Sequence, residues 1–105
     1  MEDDKVVIKN VKVEYITTKF DKYENEICYF KLRDKNIDSK FAALMKDDTF
    51  NLPWFKSEKG QYILKAKKKY SKTKEFTKDE TFLIDIAFKY YKMDNLQGFY
   101  VSSLA

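Results

Sequence analysis

Residues 81–93, "TFLIDIAFKYYKM", limit the fold more than any other stretch of the chain. Phe82, Ile84, Ile86, Phe88 and Tyr90 occupy every second position, and Leu83, Asp85, Ala87, Lys89 and Tyr91 take the alternate ones. A period of two is the spacing of one face of a β-strand; the same row would scatter around a helix. The segment is therefore expected to be a long strand with one continuous apolar face. Such a strand is stable only in a sheet of at least three strands with a covered face, so its partners have to come from the rest of the chain.

Three further segments qualify. Residues 5–19, "KVVIKNVKVEYITTK", are rich in β-branched residues, and their alternation changes phase near Asn10–Lys12, which predicts a bend or bulge in a long strand. Residues 27–34, "ICYFKLRD", put Ile27, Tyr29, Lys31 and Arg33 on one face and Cys28, Phe30 and Leu32 on the other. Residues 61–70, "QYILKAKKKY", alternate Tyr62, Leu64 and Ala66 with Ile63, Lys65, Lys67 and Lys69. "MDNLQG" reads as a turn and "FYVSSL", residues 99–104, as a closing strand. One helix is expected at 37–46, capped by Asp38 or Ser39, with Phe41, Leu44 and Met45 on one side. The connection that follows holds the only Pro and the only Trp, and "SKTKEFTKDE", residues 71–80, reads as a polar loop.

Five strands and one short helix in 105 residues predict a single, mainly β domain over 1–105, an antiparallel five-stranded Greek-key barrel of the OB type. The helix departs from the usual plan of that barrel, since it falls between the second and third strands and not between the third and fourth.

Composition narrows the chemistry. There is no histidine, which removes Ser-His and Cys-His catalysis and the commonest zinc ligand. Two glycines cannot build a phosphate-cradling loop. Asp47–Asp48 and Asp79–Glu80 are adjacent pairs that would diverge on an extended chain, whereas acid–base or two-metal chemistry needs carboxylates converging from separate elements. Asp85 shares a face with Lys89, which predicts an ion pair or hydrogen bond at a sheet edge. Cys28 alternates with Phe30 and Leu32 and is expected to be a buried thiol. No catalytic residue, metal or cofactor is expected. No apolar run approaches a membrane span, and the acidic "MEDDK" is unlike a signal peptide, so a cytoplasmic protein without a membrane partner is expected.

What remains is a basic and aromatic surface. The net charge is +4, and the 20 lysines and 18 aromatics are partly what A/T-rich codons would supply, so positions say more than totals. "LKAKKKYSKTKEF", residues 64–76, holds six lysines and one acid. Lys65, Lys67 and Lys69 at two-residue spacing lie roughly 6.5–7 Å apart on a strand, close to the phosphate spacing of an extended single strand. Tyr29, Lys31 and Arg33 share a face of the second strand, and Lys89 and Tyr91 share one on the fourth. Single-strand binders use this mixture, with cations along the backbone and rings against bases. The phosphate contacts are thus expected at Lys65, Lys67, Lys69, Lys31, Arg33 and Lys89. The stacking contacts are expected at Tyr29, Tyr62, Tyr91 and Trp54, although Trp54 in the "LPWF" connection reads equally as a core plug or barrel lid. The basic loop from Ser71 to Phe76 is expected to be flexible and able to close over a bound strand.

The order of "LPWFKSEKGQYILKAKKKY", the charged loop, and the pair "TFLIDIAFKYYKM" and "GFYVSSL" resembles the small bacteriophage single-stranded-DNA-binding proteins with OB-folds. The resemblance implies a non-enzymatic protein that coats and protects single-stranded intermediates of phage DNA replication or recombination, in the cytoplasm of an infected host. One departure is plain: many such proteins end in an acidic tail, whereas here no acid follows Asp94, and only "MEDD" could substitute. RNA, a second copy of the chain, and a replication or host protein stay open as partners. The rival reading is a small phage-type inhibitor that occupies a host factor.

Overall fold

The computed structural model describes residues 5–45 and 49–105. The acidic run "MEDD", Lys46 at the end of the expected helix, and the Asp47–Asp48 pair lie outside the described residues. The chain forms one antiparallel sheet of six strands: β1 (Lys5–Phe20), β2 (Glu26–Leu32), β3 (Trp54–Lys56), β4 (Tyr62–Lys67), β5 (Thr81–Met93) and β6 (Leu96–Leu104). Their order across the sheet is β3-β4-β2-β1-β5-β6. The sheet curls into a half-barrel, and its two ends meet through isolated parallel bridges, Asn51 to Gly98 and Ser71 to Leu104.

The expected strand 81–93 is β5, and its apolar row faces inward: Ile84, Ile86 and Phe88 are buried, with Phe82 and Tyr90 half-buried at the ends. β1 bends where its alternation changes phase. The β1–β5 register shifts between Ile8 and Val11, and Asn10 takes a left-handed backbone with φ 58°. The main-chain N–H of Asn10 donates to Asp85 Oδ1 at 2.9 Å, and its carbonyl accepts from Lys40 Nζ at 3.0 Å. Asp85 therefore holds the bulge and does not pair with Lys89 as its face-mate. A second shift between Tyr15 and Thr17 lets β1 follow β2 around the curl.

Four expectations are corrected. The sheet has six strands, not five, because Trp54–Lys56 turns back on β4 through a tight loop in which Gly60 (φ 79°) donates to the Ser57 carbonyl. A three-residue strand shows too little alternation to be seen in sequence. The helix shrinks to one α-turn, α1 (Ile37–Lys40), and a 3₁₀ turn at Ala42–Leu44. Neither Asp38 nor Ser39 caps it; the Ser39 hydroxyl donates to the Asn36 carbonyl. Its work is to bury Ile37, Phe41 and Leu44 over the core. β4 stops at Lys67, and Lys68–Tyr70 form a 3₁₀ turn. β6 starts at Leu96, because Asp94 with φ 51° closes a two-residue hairpin.

The segment 71–80 is anchored at several points. Phe76 stacks on Tyr15 at 5.1 Å and on Phe82 at 5.7 Å, and meets the edge of Phe30 at 5.2 Å. The backbone of Tyr15 exchanges hydrogen bonds with Asp79 and Glu80. The segment plugs one end of the half-barrel, in place of the free flap expected from its polarity. Inside lie Val11, Val13, Cys28, Phe30, Leu64 and Phe88.

Candidate functional site

Between the two closing bridges β4 and β6 stand apart, and the gap is a slot of about 530 Å³. Its walls follow from strand parity. Residues facing outward on β2 and β4 are the alternates of the buried Cys28, Phe30, Leu64 and Ala66, so Ile27, Tyr29, Lys65 and Lys67 project together. Cross-strand pairing sets Tyr29 opposite Lys65 and Ile27 opposite Lys67. On the far side, Tyr91 of β5 and Tyr100 of β6 line the slot, joined by Tyr70 from the turn after β4. The Tyr70 and Tyr100 ring centres are 6.3 Å apart, as are those of Tyr100 and Tyr91. The slot is backed by Leu52, Pro53, Phe99 and the buried Ala66 and Val101.

Cations hold the rings from above. Lys19 Nζ lies 5.6 Å from the Tyr29 ring centre, Lys65 Nζ 5.5 Å from that of Phe55, and Lys69 Nζ 5.1 Å from that of Tyr70. Each such contact at an exposed site is worth about 0.5–1 kcal/mol, enough to bias a lysine rotamer without consuming its charge. Among the described residues Asp21 is the one acid on the slot. Its carboxyl accepts the main-chain N–H groups of Asn25 and Tyr23 and the Asn25 side-chain amide. The hydrogen bond from the Asn25 N–H is the largest influence, and together these hold the carboxyl below the usual aspartate value. Beside the slot, Lys67, Lys68, Lys69 and Lys74 surround a second depression of about 350 Å³ with Glu24 and Glu26. Lys68 is paired there with Glu26 at 3.4 Å.

The structure thus gathers Tyr29, Lys65, Lys67 and Tyr91 on one slot. Lys69 stands beside them on the 3₁₀ turn, not on the lysine face of β4, because the strand has already ended. Lys89 faces outward on β5 opposite Tyr100. Lys31 and Arg33 lie at the other end of β2 and share one carboxylate: Glu14 is 2.7 Å from Arg33 and 3.9 Å from Lys31. Tyr62 is half-buried on the inner side of β4, apart from the slot, with Lys56 Nζ 5.9 Å from its ring centre. Trp54 is in the core, 6% exposed, against Phe41 at 4.9 Å and Phe88 at 5.8 Å. A ring so enclosed cannot act as a stacking platform; its neighbour Phe55, 43% exposed, carries the outward face instead.

Sequence reasoning alone misses Tyr70 and Tyr100. The signal for Tyr100 was there, since it alternates with the core residues Phe99 and Val101 of the closing strand. Tyr70 was hidden by the turn that swings it across the gap. Cys28 is buried, and burial raises its thiol above the usual value, partly offset by a contact to Thr18 Oγ1. Among the described residues no group of three or more His, Cys, Asp or Glu could hold a metal ion, and no helix is long and apolar enough to cross a membrane. The chain matches no family model, and no curated protein and no solved structure is detectably similar to it.

Proposed function

We propose that this protein binds single-stranded DNA with little sequence preference, and coats single-stranded intermediates of phage DNA replication or recombination without acting as an enzyme. The observation that carries the reading is the convergence of Tyr29, Tyr91, Tyr100, Lys65 and Lys67, from four strands, on one slot. Rings for bases and ammonium groups for phosphates are what a sequence-tolerant site requires. The OB reading of the fold is supported by the pairing pattern. If the short β3 is set aside, β1 pairs with β2 and β5, β2 with β4, and β5 with β6, and a parallel bridge joins Ser71, past the turn after β4, to Leu104 at the end of β6. In this reading β3 is an added hairpin and the 71–80 plug stands where the barrel usually carries its helix.

The test is fluorescence polarisation with oligo-dT across a salt series. Lys65→Glu, Lys67→Glu and Lys69→Glu together are expected to abolish binding; unchanged binding rules out this surface. Three phosphate contacts on a single strand predict a slope of log affinity against log salt of about −2. Double-stranded DNA is expected to bind more weakly, and competition with a matched RNA tests the choice of DNA.

A second reading is favoured by the hairpin tips. Among the described residues Phe20 and Tyr23 on one tip, and Met93 and Leu96 on another, are the most exposed large apolar side chains besides Leu83. Exposed aromatics ringed by charge also suit a protein interface, as in an inhibitor of a host factor. Capture of a single host protein, with no oligonucleotide binding at low salt, would favour it over the first.

A further inference from the structure

The slot takes one base, and takes it by insertion: we propose that a single nucleotide of the bound strand is anchored edge-on between β4 and β6, while its neighbours stay outside. This rests on the single-strand reading above and specifies how that site is filled. A site built for serial stacking spreads its rings along an open track. Here Leu52, next to the Asn51–Gly98 bridge, and Tyr70, next to the Ser71–Leu104 bridge, both line the opening, so backbone pins the gap beside the site at two points. Tyr29, Tyr70, Tyr91 and Tyr100 surround this one opening. Behind them lie Ala66 and Val101, each 3% exposed, two small side chains that leave depth.

The lysines give the register. Lys65 and Lys67 are two residues apart on one face of β4, roughly 6.5–7 Å. That spacing matches two successive phosphates of an extended strand, and two successive phosphates bracket one nucleoside. The nucleoside so bracketed faces the slot. The volume of about 530 Å³ lies within the roughly 300–1,000 Å³ of small-molecule sites. Beyond Lys67 the backbone can continue past Lys68, Lys69 and Lys74, where the lining is four lysines with Asn25, Glu24 and Glu26 and holds no ring.

The experiment varies the ligand, so no variant has to fold. Abasic 12-mers carrying none, one, two or four adjacent central thymines are compared with dT12 at low salt. Insertion predicts a jump of about tenfold at the first thymine, within the range for one buried base. Each later thymine then adds only one more register, about twofold from one to two and again from two to four. Affinity multiplied by about fivefold or more with every added thymine is the pattern of serial stacking and overturns the proposal while leaving single-strand binding intact. An abasic strand that binds as well as dT12 also overturns it, because then phosphates alone carry the affinity. If dT12 itself fails to bind, the proposal falls together with the function on which it rests. Tyr100→Ala is expected to erase the jump at the first thymine while the abasic strand binds as before.

Discussion

Single residues decide how much of the basic surface is free. Glu14 lies on β1 opposite Lys31, with its side chain 13% exposed, and it holds both Lys31 and Arg33. If phosphates compete for those cations, the carboxylate works against binding. Glu14→Gln is expected to tighten oligo-dT binding by a few fold and to steepen the salt slope by about 0.7 for each cation released, measured by the same titration. A weaker complex would mean that Glu14 chiefly orders the β1–β2 pair. At this scale the sequence was legible only in part. Parity along β2 and β4 gave the faces of Tyr29, Lys65 and Lys67 correctly. It could not reveal that Glu14 would claim the Lys31–Arg33 pair, since that depends on the register between two strands. Nor could it decide between a core and a surface Trp54, because a residue beside Pro53 has no periodic context.

At the level of elements, the bulge in β1 is held by groups from two other segments. Asp85 takes the Asn10 N–H, and Lys40, which takes the carbonyl, is paired with Asp34 at 2.6 Å. Burial raises the Asp34 carboxyl, but the hydrogen bond from Lys40 and the N–H groups of Asn36 and Lys12 outweigh it and leave the group below its usual value. A lowered folded-state value means stability that is present above the unfolded aspartate value near 3.8 and is lost as pH falls through the folded one. Acid titration followed by circular dichroism is therefore expected to show unfolding that sets in below about pH 4. Asp34→Asn is expected to lower stability at neutral pH and to flatten that acid limb. The break in alternation at Asn10 was legible because a bulge changes the phase of the apolar residues. The plug at 71–80 was not, because one Phe among charges looks like a loop until its three aromatic partners, from three different strands, are in place.

For the molecule as a whole, closure rests on very little backbone. A Cβ at Gly98 would collide with the main chain of Asn51, so the bridge at that end needs a glycine. Gly98→Ala is expected to push the two apart and lower the melting temperature by several degrees. By hydrogen exchange the amides of Asn51 and Phe99, which bond across that bridge, should lose protection, while that of Lys72, bonded to Leu104 at the other end, keeps it. Equal loss at both ends would show that the seam opens as one unit. The mainly β, barrel-like architecture was readable from strand lengths and parity, but the seam was not: each bridge joins a residue of β6 to one, Asn51 or Ser71, that lies outside any strand and any alternating run. The strand order has one further effect, on timing. β1 sits in the middle of the sheet, between β2 and β5. During synthesis it can meet β2 early but has an open hydrogen-bonding edge until residues 81–93 leave the ribosome. That long wait predicts slow, largely post-translational folding. It also means that a chain stalled before Thr81 carries a bare, β-branched edge, which is the form of this protein most prone to aggregate.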